Sequence, residues 1–368
     1  MKIVFLVQKL VNAGPENVVL DICKNLDRSK FIPAVISLMD DDGNRSIEKK
    51  FRDLNIEISY MGLSFFQEEL QTKKCAEKVR HAFHDLGGDV LHVHCYHPSL
   101  IASYMNDIPV INTVHNISGE DFLMKKGKLF GGYMKWRFDK SLGCSDCVVA
   151  ISDYMADYYS DVCRKIVKIP NGVSVERLNS EKRSQIRKEL SVLSETTKVI
   201  VVTGTVSYRK NTTYTVSELK KLDCNFVCFI VGDGDKMDEC KQITQGDNRF
   251  RYEGFRTNVQ DYLNIADLYI SSSYSEGLPL SVLEAINIGI PCLLSDIRPH
   301  REIVDTMQCD GVKCFSLQED ALKFIIQKEF AKLYDNNVIA SKASDYYSAR
   351  VMTKQYEDVY EEVISNLK

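Results

Sequence analysis

The chain has 368 residues, 44% hydrophobic and 27% charged, with a net charge of −4. That length predicts two domains with sizeable cores, and the charge balance excludes bulk nucleic-acid binding. No apolar run approaches the ~18–20 residues that a membrane-spanning helix needs.

The first apolar run, KIVFLV at 2–7, has a strand's length and lacks a signal-peptide cleavage pattern, so the expected location is the cytoplasm. Further strands are predicted at IPAVISLM (32–39), IEISYMG (56–62), DVLHVHC (89–95), PVINTVH (109–115), CVVAIS (147–152) and KIVKIP (165–170). Helical patterns such as PENVVLDICKNL and TKKCAEKVRHAFHDL fall between them. Continuous apolar strands separated by helices imply a parallel sheet covered on both faces. The turn IPNGVS at 169–174 punctuates the chain, and the scheme then repeats. Its second set of strands is KVIVVTG (198–204), NFVCFIVG (225–232), FRYEGF (250–255), DLYISSS (267–273) and PCLLSD (291–296). The reading is an α/β protein of two Rossmann-like, doubly wound parallel-sheet domains, 1–170 and 171–349. Their ligand cleft is expected at the carboxyl ends of the strands. The segment YYSARVMTKQYEDVYEEVISNLK reads as one or two closing helices. Twelve cysteines without an export signal read as reduced thiols. The C-x-x-C of Cys144 and Cys147 lacks the second pair that zinc requires, so no metal is expected there.

Four stretches could carry chemistry. SEGLPLSVLEAINIGIPCLLSD, 275–296, places Glu276 in a loop over a strand's carboxyl end and Glu284 in an apolar helix starting near Pro279. A carboxylate in so apolar a helix is expected to be buried and to need a partner. Amides near Gly277, Leu278 and Leu280 would form an anion site on that helix N-terminus. Two carboxylates flanking an anion site suit a ligand with phosphates and hydroxyls, such as a nucleotide sugar. Capping of a nearby amide or pairing with a lysine is the plainer reading of Glu284. TGTVSYRKN, 203–211, puts Arg209 and Lys210 where they could neutralise a diphosphate, although adjacent basic loop residues are usually just solvated. VNAGPENVVL, 11–20, carries Gly14 for close backbone approach but no G-x-G-x-x-G fingerprint. His92, His94 and His97 in LHVHCYH, with His115 in NTVHN, form the last set. His92 and His94 share a strand face, His94 and His115 end strands, and structural histidines are the competing reading.

These residues, in this order, resemble the retaining glycosyltransferases of family 4, which have the GT-B fold. The resemblance covers nearly the whole chain and rests chiefly on the E-x7-E signature, Glu276 and Glu284. IPNGV, VGDGD at 231–235, TVH ending in His115, and AGPENVV support it. It implies two domains facing an interdomain cleft, the first binding an acceptor and the second a nucleotide-sugar donor, with a helix at about 350–368 packing back onto the first. Glu284 would hold the ribose, Glu276 would face the donor sugar, and His115 would orient the sugar or phosphate. The family's G-R-L-x-x-x-K-G motif reads GTVSYRKN here. Gly204 and Lys210 match, but Thr205 stands at the arginine and Asn211 at the final glycine. Arg209 is expected to supply the missing charge. Donor contacts are therefore expected from Gly14, Gly204, Arg209, Lys210, Gly277, Leu278, Leu280 and Glu284, and an acceptor contact from His94. The implied reaction is metal-independent transfer, with retention, from a nucleotide sugar, by default a uridine diphosphate sugar. Its acceptor would be a glycan or lipid-linked saccharide of the cell surface. Two alternatives are a nucleotide-sugar epimerase of the same architecture and a non-catalytic nucleotide-sugar binder. The E-x7-E spacing counts against the first, and intact Glu276, Glu284, Lys210 and His115 against the second.

MKKGKLFGGYMKWRFDK, 124–140, interleaves six basic residues with four aromatics, including Trp136, the single tryptophan. It is expected either to dock on the inner face of an anionic membrane through Lys125, Lys126, Lys128 and Trp136, or to be a packed helix with a solvated basic face.

Overall fold

The computed structural model describes residues 1–368 apart from 42, 44, 193, 195, 330, 331, 333, 367 and 368, and apart from the side chain of Lys125. The chain divides into two compact units, Met1–Gly172 with Ala349–Lys368, and Val173–Ser348.

The first unit opens with β1 (Lys2–Val7), α1 (Gly14–Asn25), β2 (Ile32–Ser37), α2 (Glu48–Asp53) and β3 (Glu57–Tyr60). It continues through α3 (Phe65–Leu70), α4 (Thr72–Asp85), β4 (Val90–His94), α5 (Tyr96–Ala102) and β5 (Val110–Val114). Then come α6 (Ser118–Leu142), β6 (Cys147–Ala150), α7 (Asp153–Tyr159) and β7 (Ile166–Lys168). The strands form one sheet in the order β3-β2-β1-β4-β5-β6-β7. Neighbours are parallel, and Ile3 of β1 aligns with Pro33 of β2 on one side and Val90 of β4 on the other. Both faces are covered, which is why β1 reads as an unbroken apolar run and why β4, VLHVH, is buried along its whole length, histidines included.

The second unit contains α8 (Ser180–Glu189), β8 (Lys198–Thr203), α9 (Thr212–Lys220), β9 (Phe226–Val231) and α10 (Met237–Ile243). It continues through β10 (Phe250–Gly254), α11 (Val259–Ile265), β11 (Leu268–Ser271), α12 (Leu280–Ile288) and β12 (Cys292–Ser295). α13 (Arg298–Met307), β13 (Val312–Phe315), α14 (Ala321–Glu329) and α15 (Asn336–Tyr347) complete it. Its parallel sheet runs β10-β9-β8-β11-β12-β13.

The edge strand β13 is absent from the sequence-based reading. VKCF is short, carries Lys313, and has two half-buried residues, so its apolar signal is weak. Predicted strand ends also overshoot. Ser152, expected in a strand, instead caps α7 by accepting from the Met155 amide at 3.3 Å.

After the second unit, α16 (Ala349–Ser365) rejoins the first, where it packs on α1. Tyr360 Oη lies 2.7 Å from His92 Nδ1, and Tyr356 Oη lies 3.0 Å from Thr113 Oγ1. Glu357 accepts the Asp27 amide at 2.7 Å. In both sheets the strand order reverses beside the first strand, at β1/β4 and at β8/β11. Such switch points leave a crevice at the strands' carboxyl ends, and both candidate groups lie there.

Candidate functional site

In the second unit, β8 ends at Thr203 and β11 at Ser271, and the two following loops meet. The loop after β8 carries Gly204, whose φ of 115° belongs to the left-handed side, and ends at Asn211, also at positive φ, before α9. The VGDGD loop after β9 packs against it. A Cβ on Gly232 would stand 1.9 Å from the Gly204 carbonyl oxygen, and one on Gly234 would stand 2.2 Å from that of Val206. The Gly204 amide donates to Val231 O, and the Val206 amide to Asp233 O, each at 3.0 Å. The glycines of VGDGD are therefore packing requirements that fix where Arg209 and Lys210 stand.

Glu276 is the centre of this arrangement. Lys210 Nζ lies 2.6 Å from Oε1 and Arg209 Nη1 lies 2.7 Å from Oε2. Ser273 Oγ donates to Oε1 at 2.6 Å, and the same Arg209 nitrogen donates to the Ser275 carbonyl at 2.7 Å. Glu276 is only 8% exposed. Burial by itself would raise its pKa, but the charges of Lys210 and Arg209 and the hydrogen bonds of Lys210 and Ser273 outweigh it and hold the carboxyl at about 2. It is ionised throughout the physiological range.

α12 begins at Leu280, one residue after its N-cap Pro279, and stops at Gly289, whose φ is 97°. Gly277 and Leu278 are buried in the approach to it. Glu284, five positions into α12, is half-buried rather than buried, while its neighbours Val282, Leu283, Ala285 and Ile286 face the core. The expectation of a buried carboxylate at 284 is thus corrected. The buried one is Glu276, because an apolar sequence on both sides of Glu284 still leaves one helix face outward.

The first unit gathers the other candidates. Gly14 is exposed and opens α1, with Pro15 in the first turn. His92 is fully buried between Tyr360 and Thr113, the latter 2.8 Å from its Nε2. His94 Nδ1 lies 2.9 Å from His115 Nε2 and the rings stack, while His94 Nε2 is buried without a hydrogen-bond partner among the described residues. Burial lowers the pKa of both, His115 to about 4, so this pair is neutral near pH 7. His97 does not join it. Its ring contacts Gln8, Glu68 and Glu69, and Glu69 in turn pairs with Arg137 of α6. Among the described residues no three of His, Cys, Asp and Glu converge as metal ligands.

Glu16, Glu68 and His300 are among the buried titratable groups that sequence patterns did not single out. Glu16, in the first turn of α1, is pushed up to about 7 by burial, and so is Glu68 in α3. Glu16 shares the helix face of Val19 and Cys23, a signal available from periodicity. His300, in the first turn of α13, is fully buried and held near 4 by burial. RPHREIV gives no pattern that would mark it.

Comparison with known proteins agrees with this geometry. The description "Glycosyltransferase Family 4" matches residues 13–177 and "Glycosyl transferases group 1" matches residues 197–326. The chain is similar to the Escherichia coli UDP-Gal:alpha-D-GlcNAc-diphosphoundecaprenol alpha-1,3-galactosyltransferase, 27% identical over 235 residues. That match spans 59% of this chain and 60% of the relative. The O-antigen biosynthesis glycosyltransferase WclY of Escherichia coli is 22% identical over 380 residues, with 98% of each chain covered. In structure the chain resembles HepE of Anabaena in complex with UDP and glucose, with a TM-score of 0.77 and 19% identity over 98% of this chain and 99% of that one. Two Rossmann-like parallel sheets, of seven and six strands, are the GT-B architecture. The chain belongs to the group 1 glycosyltransferases of family 4.

Proposed function

We propose that this chain transfers a sugar, with retention, from a nucleoside diphosphate sugar to a glycan or lipid-linked saccharide in cell-surface polysaccharide assembly. The observation that carries this reading is the buried Glu276 carboxylate clamped by Lys210 and Arg209 at the β8/β11 switch point. In this reading Glu276 faces the donor sugar and Glu284 receives the ribose hydroxyls. The leaving diphosphate gathers negative charge as the glycosidic bond breaks through an oxocarbenium-like state. Lys210, Arg209 and the N-terminus of α12, reached through Gly277, Leu278 and Leu280, stabilise that charge. The acceptor hydroxyl attacks on the same face and passes its proton to the leaving phosphate. The first unit takes the acceptor, and the neutral His94–His115 pair stands at the carboxyl ends of β4 and β5, with the half-buried His115 as its accessible member. The E. coli relative's name, which specifies UDP-Gal and a diphosphoundecaprenol acceptor, supports a uridine diphosphate sugar and a polyprenyl-diphosphate saccharide as the pair to test first.

The test is a thermal-shift screen of nucleotide sugars, followed by transfer to a polyprenyl-diphosphate saccharide with chelator present. Stabilisation by one donor and transfer with the α-configuration kept are expected. Stabilisation by none, or inversion of the anomeric centre, would refute the reading.

No described helix is long and apolar enough to cross a membrane. The proposed contact with membrane is peripheral, on the cytoplasmic side. Of the residues expected to make it, Lys126, Lys128 and Trp136 are exposed in α6, together with Leu129 and Phe130; the Lys125 side chain lies outside the described residues. α6 is tied by Arg137 and Glu69 to α3, whose Phe65, Phe66 and Leu70 are also exposed. Salt-sensitive sedimentation with anionic liposomes, lost when Lys126 and Lys128 are changed to Glu, is the expected result; no binding by the natural chain would exclude it.

A further inference from the structure

His300 is fully buried, lies outside the E-x7-E stretch, and has no role in the transfer described above. Its hydrogen bonds can be assigned a direction throughout. Nδ1 lies 2.8 Å from the Ser295 carbonyl oxygen, which can only accept, so Nδ1 carries the proton. The same N–H lies 3.1 Å from Ser295 Oγ. Ser295 Oγ donates onward to the Ser273 carbonyl at 2.5 Å. Ser273 Oγ in turn donates to Glu276 Oε1 at 2.6 Å. Ser295 is the last residue of β12, and Ser273 lies just past the end of β11, so this chain of bonds crosses the two strands where the Glu276 loop begins. Ser273, Ser295 and His300 are all fully buried, so water does not compete for these bonds.

We infer that His300 is a positioning residue: through Ser295 and Ser273 its imidazole sets the height and orientation of the Glu276 carboxylate between Lys210 and Arg209. A neutral ring suits the task, because a second proton on Nε2, which has no partner among the described residues, would place an unpaired charge in the core. Burial lowers the His300 pKa, Glu276 opposing this and Lys210 adding to it, which places the imidazole within electrostatic reach of the Glu276 pair.

The experiment compares four variants of the full chain. His300→Phe keeps ring volume and removes both nitrogens. His300→Asn returns an N–H near the Nδ1 position. His300→Ala removes volume and donor together, and Ser295→Ala breaks the middle of the relay without touching the ring. The kinetic part rests on the proposed transfer reaction. His300→Phe and Ser295→Ala are expected to lower kcat by about 10- to 100-fold, the range that misplacing a reacting group produces. The inhibition constant for free nucleoside diphosphate should stay within about twofold, while His300→Asn recovers most of kcat and His300→Ala does not. The structural part needs no activity. Crystal structures of His300→Phe and Ser295→Ala should have the Ser273–Glu276 hydrogen bond broken and the carboxylate displaced from Lys210, and His300→Asn should restore both. Glu276 unmoved in Ser295→Ala and His300→Phe, or His300→Asn as impaired as His300→Phe, overturns the inference. A wild type that transfers no sugar while Glu276 moves as expected would overturn the proposed function alone.

Discussion

Glu276 is the residue on which most of the electrostatics turns. Its ordinary pKa near 4.5 falls to about 2 in the folded chain. A carboxylate depressed in this way stabilises the native state fully above pH 4.5 and loses that contribution as pH falls toward 2, a difference of about 3 kcal/mol. His115 and His300, lowered from 6.5 to about 4, also favour the fold above pH 6.5 and withdraw support between 6.5 and 4. Glu16 and Glu68 act in the opposite sense, since the folded chain holds their protons up to about 7. Glu276→Gln should therefore flatten the stability profile below pH 4.5, as read by denaturant titration. It should also cost about 3–5 kcal/mol at pH 7 by leaving two cations without their anion. Glu284 predicts a different signature. Glu284→Ala should weaken nucleotide binding by about 1–3 kcal/mol, and calorimetry giving equal affinity would remove its ribose role.

At the scale of elements, the positions of Arg209 and Lys210 are set by a loop they do not belong to. The β9–α10 loop can approach the β8–α9 loop closely only because residues 232 and 234 lack a Cβ. Gly232→Ala must push Gly204 away and also strain a backbone at φ 148°. Overpacking of this kind costs about 1–3 kcal/mol, and a larger effect is expected on function, with donor affinity falling at least about tenfold. Wild-type affinity in Gly232→Ala would mean the loop adjusts without moving the cations. This dependence explains why GTVSYRKN looked weak on its own: two adjacent basic residues in a loop carry little information until the neighbouring loop is known. Arg209 stands beside Lys210 against Glu276, and we propose that it supplies the charge the family arginine would bring at Thr205.

At the scale of the molecule, the second unit is a continuous segment, Val173–Ser348, with its own sheet and core, whereas the first is closed by the last helix of the chain. A unit with an independent core can fold alone. A fragment spanning 173–348 is expected to unfold cooperatively and to bind nucleoside diphosphate within about tenfold of the full chain. A fragment ending at 172 lacks α16, so His92 and Thr113 lose their tyrosine partners. It should be markedly less stable, which circular dichroism melting would measure. Failure of the 173–348 fragment to bind, although folded, would count against its holding the donor site alone.

The architecture is written in local patterns of the chain. Twelve of the strands, the two parallel sheets and the E-x7-E stretch follow from apolar runs, turn residues and spacing, because these are local or periodic signals. The edge strand β13 was missed because an edge strand needs only one buried side and carries too little apolar signal. Only the folded chain settles which carboxylate is buried, which cations serve it, and which of His92, His94, His97 and His115 come together. The relay from His300 through Ser295 and Ser273 belongs to the same class. Each of these depends on side chains far apart in the chain meeting at a sheet's carboxyl edge, and on burial turning ordinary charges into fixed partners. Residue type and spacing carry no record of that.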